Sequence, residues 1–256
     1  MKAINADIVS MNTPGPIAIE PAKIARFLGT FAIILIFCHI AMRLITSGAW
    51  HLNIPYDLLE RFDLNKERTL PTFFQGLMLF VSSILLAIIA ALNKTEPDHG
   101  KNAWALMSAL MLFLSADELI CIHERLGEWT NQCYGFLKLT DPLAIKLSSP
   151  FITSWVFIYL PAAFLIFLVS LKWLRRLPAK TRKYFLLAGA LYVCGAAGCE
   201  MIQSCYWRFG MDHGNLGYEI NSIVEEGLEM AGVIIFIWAL LAYIANRFKN
   251  VQFELK

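Results

Sequence analysis

Charge is what this sequence has least of. Asp, Glu, Lys and Arg make up 16% of its residues, against about a quarter in an ordinary soluble domain, while 57% are hydrophobic. A chain of 256 residues with a mean hydropathy of +0.55 reads as one polytopic helical membrane domain. The net charge of +2 is too small to draw it to nucleic acid, and no nucleotide cofactor is expected. Histidine is scarce as well. The five present, His39, His51, His99, His123 and His213, are too few for the histidine-rich site of a membrane oxygenase or desaturase.

The six cysteines, Cys38, Cys121, Cys133, Cys194, Cys199 and Cys205, contain no CxxC pair, which removes zinc-ribbon and thioredoxin readings. Cys38, Cys194 and Cys199 fall in apolar runs and read as small buried hydrophobes. Cys133 and Cys205 fall on one side of the membrane in the topology below and are available to pair. The first 26 residues hold Pro14, Pro16 and Pro21 without an apolar core, so they do not read as a cleaved signal peptide. The sequence shows neither an internal repeat nor a low-complexity segment.

What is present is a series of apolar runs of membrane-crossing length, about 20 residues each. Six are expected: Phe27 to about Ile45, interrupted by His39 and Arg43; Phe73 to Leu92, free of charge; from Ala103, apolar until Asp117; Phe151 to Leu171, free of charge but with Pro161, which should kink it; from Tyr184, apolar until Glu200; and from Glu219, apolar from Met230 to Ala245. Residues 172–183 carry Lys172, Arg175, Arg176, Lys180, Arg182 and Lys183 without an acid, which puts that turn in the cytoplasm. Both termini then follow, and the cytoplasmic side collects most of the 22 Lys and Arg residues. The domain reading is a cytoplasmic segment 1–26, a six-helix membrane domain 27–246 with periplasmic loops 46–72, 125–150 and 208–218, and a cytoplasmic tail 247–256. The 125–150 loop is long enough for a short surface helix.

This topology sets the acids at one level. With outer helix ends near residues 126, 208 and 220 and a rise of about 1.5 Å per residue, Asp117, Glu200 and Glu229 lie roughly 12–14 Å below them. At about 100° per residue, Asp117, Cys121, Glu124 and Glu128 share a stripe of the third span, with Glu118 and His123 to either side. Glu200 aligns with Ala196, Ser204 and Trp207, and Glu225 and Glu229 with Ser222, Glu226 lying at the edge of that stripe. Gly195, Ala196, Ala197 and Gly198 let the fifth span approach its neighbours. Phase ranks Asp117 and Glu124 above Glu118.

Carboxylates gathered at low dielectric cannot all ionise unaided; they share protons, pair with cations, admit water or bind a metal. Acids with a single histidine suit iron, manganese or another fairly hard cation rather than zinc. The four-helix di-iron pattern needs Glu-x-x-His, and His123 stands five positions after Glu118. The metal reading takes Asp117, Glu118, His123, Glu124, Glu200, Glu225, Glu226 and Glu229 as candidate ligands, supported by His39, Arg43, Cys121, Ser204 and Ser222, with redox or hydrolytic chemistry to follow. A second reading is proton or cation handling by a transporter or channel, although the uncharged inner runs offer no polar path. A third is a non-catalytic accessory subunit, partnered by other membrane subunits as well as the bilayer, whose acids pair with Arg43, Arg125, Arg208 and helix N-termini. Glu225-Glu226 superficially matches the paired glutamates of intramembrane CAAX-type proteases, but the downstream histidines and arginine those need are absent. Asp63, Asn65 and Glu67 alternate like the start of a calcium loop, yet Arg68 stands where glycine is needed and Phe74 where glutamate is. His51, His99 and His213 read as solvated loop residues, His213 being the nearest of them to the site. Trp50, Tyr206 and Trp207 read as interfacial aromatics.

Three stretches carry a resemblance. Phe62-Asp63-x-Asn65-x-Glu67-x-x-Leu70-Pro71-Thr72, Ser115-x-Asp117-Glu118-x-x-x-Ile122-His123-Glu124 and Glu225-Glu226-x-x-Glu229-Met230-x-Gly232 resemble patterns in a group of uncharacterised bacterial multi-pass membrane proteins. The resemblance runs from the first span onward. It implies a bacterial inner-membrane protein and carries no activity with it. Asn65 stands where that group often has aspartate, which weakens a cation role for the loop.

Overall fold

The computed structural model describes residues 20–48, 50, 52, 54–93, 100–126, 129, 155–208, 211 and 215–247. The regular structure among them is all helical, with no strand. Helix α1 spans Pro21–Thr46, and a short helix α2, Tyr56–Leu59, continues as a 3₁₀ turn through Phe62. Helices α3 (Leu70–Leu92), α4 (Lys101–Ile120) and α5 (Val156–Arg176) follow. Helix α6 (Ala179–Val193) runs through a π-helical turn at Cys194–Cys199 into α7 (Glu200–Arg208), and α8 (Leu216–Arg247) ends the bundle. Six helices, counting α6 to α7 as one, are long and apolar enough to cross a membrane. The Cys133–Cys205 pairing, Glu128, the surface helix expected in 125–150, and His51, His99 and His213 lie outside the described residues, as does the side chain of Trp207.

The starts follow local chemistry. Pro21 and Pro71 sit in the first turns of α1 and α3, where a missing amide proton costs nothing. Helix α5 runs through Pro161 without being divided, because the proline lies in its second turn, close to amides that lack intrahelical partners.

Helix α8 is the centre of the bundle, packed against α1, α3, α6, the π turn and α7, while α3 lies along α4. Between lipid-facing helices apolar area alone gives little drive to associate, so close approach and polar bonds decide. Ser83 Oγ donates to Ser108 O at 2.8 Å and Ser108 Oγ donates back to Ser83 O at 2.9 Å, and Ser115 Oγ donates to Gly76 O at 2.7 Å. Together these fix α3 against α4. Gly232 lets α8 meet α6: a β-carbon there would stand 2.8 Å from Ala188 O. One end of the bundle closes on aromatics, with Trp104 edge-on to Trp173 at 4.9 Å and tilted over Tyr243 at 5.0 Å.

Candidate carboxylate site

The site is built on α8. Ser222, Glu225, Glu226 and Glu229 project from its first half, and the π turn brings α7 against them. A β-carbon at Gly195 would lie 2.8 Å from both Glu225 O and Glu229 Cγ, so only glycine permits this approach. It places Glu200 within hydrogen-bonding reach of Glu225. Gln203 Nε2 donates to Ser222 Oγ at 2.7 Å and to Glu225 Oε2 at 3.3 Å, and Asn221 Nδ2 donates to Cys199 O at 3.0 Å. From α3, fully buried Gln75 donates its Nε2 to Glu229 Oε2 at 3.3 Å and keeps Oε1 unpaired.

Helix α4 supplies the opposite wall, and here the structure departs from the expected geometry. The helix stops at Ile120, and Cys121 takes a left-handed conformation, φ 55°. The stripe joining Asp117, Cys121 and Glu124 is therefore broken, and Asp117 lies in the last turn of α4 rather than well below its end. Glu118 faces Glu229, Glu226, Glu67 and Asp117, whereas Glu124 is exposed. The preference for Glu124 over Glu118 is reversed, because the left-handed residue re-aims everything after it. The same turn folds His123 back: its amide donates to Asp117 Oδ1 at 2.8 Å and its Nδ1 lies 3.3 Å from Asp117 Oδ2. Tyr159 of α5 donates to Asp117 Oδ1 at 3.2 Å, and Trp155 packs edge-on to the imidazole at 5.4 Å.

The loop before α3 adds Glu67, 3.9 Å from His123 Nε2 and hydrogen-bonded to Cys121. Although the Glu67 side chain is 36% exposed, desolvation of its carboxyl end, with Glu124 and Asp117 nearby, holds that carboxyl above its ordinary range despite His123. Burial and the Glu67 and Glu124 charges push the Cys121 thiol up to about 11, so it is neutral. For His123, burial favours the neutral ring, but Asp117, Glu67 and Glu124 outweigh it and the imidazole titrates above its ordinary value.

Two expected members stand apart. His39 and Arg43 of α1 form a separate buried network with the loop and with Glu219 at the start of α8. His39 Nδ1 accepts from Leu64 N at 3.1 Å, so its proton is on Nε2, 3.6 Å from Glu219 Oε2. Arg43 Nε lies 2.8 Å from Glu219 Oε2, and Asn65 Nδ2 donates to the same oxygen at 3.0 Å. Asp63 stands 3.6 Å from Arg43 Nη2. Asp63 and Asn65 thus face this network while Glu67 faces the acids, which is not how a calcium loop points its ligands. Ser204 Oγ bonds back to Glu200 O at 3.1 Å.

Among the described residues, Asp117, Glu118, Glu200, Glu225, Glu226 and Glu229 share one region, with His123 at its edge. No three His, Cys, Asp or Glu side chains among them converge closely enough to hold a metal ion as they stand. Gln75, Gln203 and Tyr159 were not expected at the site from the sequence, and Glu67 was expected only as part of a rejected calcium loop. Gln75 had a signal: it is an amide in an otherwise apolar run. Tyr159 had none.

The sequence model of a family described as a domain of unknown function (DUF8692) matches residues 27–244. No curated protein and no solved structure matches the chain. The match takes in nearly every described helix, and the chain belongs to the DUF8692 family.

Proposed function

We propose that this member of the DUF8692 family binds a cation in its carboxylate cluster, first of all a divalent metal ion of the iron or manganese kind. The observation that carries the reading is the charge imbalance. Glu67, Glu118, Glu200, Glu225, Glu226 and Glu229 come from four segments to one half-buried region, where the cations these contacts bring near are His123, beside Glu67, and Arg68, beside Cys121. Arg43, the expected counter-charge, is ion-paired with Glu219 instead. Oxygen donors with one imidazole suit a hard or intermediate metal, and the unpaired Gln75 Oε1 is a further oxygen beside Glu229. Glu118, Glu226 and Glu229 would hold the ion, which would need their carboxylates to converge more closely than they do here. A bound metal would supply Lewis acidity or redox capacity; the protein supplies the ligands and, through Asp117 and Tyr159, holds the His123 side of the site. The site faces the periplasm of a bacterial inner membrane, with both termini in the cytoplasm, on the strength of the cationic 172–183 turn.

Elemental analysis of the purified chain, before and after reconstitution with manganese(II) or iron(II), tests this. Near-stoichiometric metal in the wild type that is lost in Glu118→Gln and Glu226→Gln is expected. A wild type without metal after both treatments overturns it.

One observation favours a second reading. A hydrogen bond between Glu200 and Glu225 requires a proton held between two carboxyls, and acids so linked can pass protons. Proton flux in proteoliposomes that vanishes in Glu229→Gln, with no bound metal, would select this reading.

A further inference from the structure

At the other end of α8 lies a cleft of about 320 Å³ between that helix and α6. From Glu225 to Arg247 is about 33 Å along the helix at 1.5 Å per residue, so the cleft is remote from the carboxylates and independent of what they bind. Its floor is apolar and aromatic: Trp238, Ala239, Ala242 and Tyr243 from α8, with Tyr184 of α6 edge-on to Trp238 at 4.6 Å. Its rim is cationic. Lys180 Nζ lies over the Trp238 ring at 5.7 Å, and Arg247 is the second cation lining the cleft. None of the lining residues is acidic.

We propose that this cleft holds an anionic phospholipid, with the phosphodiester between Lys180 and Arg247 and an acyl chain along Trp238 and Tyr184. Three features converge on that occupant. The cleft lies at the ends of two helices that are long and apolar enough to cross a membrane, which is the level of lipid headgroups. Its two cations come from different helices and line one cleft that holds no acid, a charge complementary to a single negative group. The aromatic floor of Trp238, Tyr184 and Tyr243 supplies what a soluble anion would not use, an apolar surface beside the charges. Basic pockets between helices at a membrane face have this chemistry in general.

The test uses the full chain in a zwitterionic detergent, titrated with dioctanoyl-phosphatidylglycerol, dioctanoyl-phosphatidylcholine or inorganic phosphate, with Tm and native mass spectrometry as readouts. The phosphatidylglycerol arm is expected to raise Tm saturably and to leave one lipid bound. Lys180→Gln and Arg247→Gln should each weaken half-saturation by roughly fivefold, while Lys23→Gln, exposed on α1, leaves it unchanged. An equal response to phosphatidylcholine overturns the proposal, as does an unaltered phosphatidylglycerol response in both cleft variants. A matching response to inorganic phosphate overturns it too, by showing that the cleft takes a free anion and makes no use of its apolar floor.

Discussion

His123 is joined to Asp117 twice, by its backbone amide at 2.8 Å and by its ring Nδ1 at 3.3 Å from the second carboxylate oxygen. This pair of contacts to one residue is a product of the left-handed Cys121, which turns the chain back within six residues. Burial opposes the charge, but the Asp117 carboxylate favours the imidazolium, and the ring titrates above its ordinary value. A histidine with a raised folded pKa stabilises the fold fully below the unfolded value of about 6.5, and that contribution is lost as pH rises through the folded value. The Tm difference between wild type and His123→Gln should therefore be largest near pH 6 and shrink by pH 9. A difference that does not change with pH would show that no charged pair forms.

Gly195 and Gly198 make a controlled pair. Gly195→Ala drives a methyl into Glu225 O and Glu229 Cγ, while the equivalent atom at Gly198 meets nothing within 4 Å. Overpacking against backbone typically costs about 1–3 kcal/mol. Thermal unfolding should show that loss for Gly195→Ala and an unchanged or slightly higher Tm for Gly198→Ala, since alanine is the better helix former. The Gly195 variant should also shift α7, read as weaker coupling of Glu200 to the site.

The six apolar helices were legible because runs of about 20 uncharged residues have few other fates, and the convergence of Asp117, Glu200 and Glu225 to Glu229 followed from helix direction and depth. What was not legible depends on single backbone torsions and on tertiary folding of a loop. Nothing in Leu-Ile-Cys-Ile-His announces a positive φ at a cysteine, so an ideal helix carried Glu124 inward when it is exposed. The π turn at Cys194–Cys199 changes helical phase just before Glu200, and its small residues hint at close approach without specifying the extra residue. Glu67 and Asp63 are two steps of one loop away from each other yet serve different networks, a division set by His39 and Arg43 on α1.

The loop is held by His39. Its ring is fully buried and accepts the Leu64 amide at 3.1 Å. His39→Leu keeps most of the volume but leaves that amide without an acceptor, a loss of about 1–3 kcal/mol. Hydrogen exchange should speed at Leu64 and Asn65 and stay unchanged in the paired serines of α3 and α4. Protection that persists at Leu64 would mean the loop is held by other contacts.

Glu67 is where stability and binding oppose each other. Its carboxyl is held above the ordinary range mainly by burial and then by neighbouring acids. A raised carboxyl pKa means that folding penalises the ionised form, and the penalty grows as pH rises through the folded value. Glu67→Gln removes it, so in metal-free protein the variant should have the higher Tm at pH 8 and no advantage near pH 4. A ligand that binds the native state reverses the order by mass action: saturating manganese(II) should raise the wild-type Tm and leave Glu67→Gln behind. Glu124→Gln, at an exposed position, should respond to manganese(II) as the wild type does. If Glu67→Gln gains as much from the metal as the wild type, the loop carboxylate is no ligand, and the cation lies deeper, between Glu118 and Glu229.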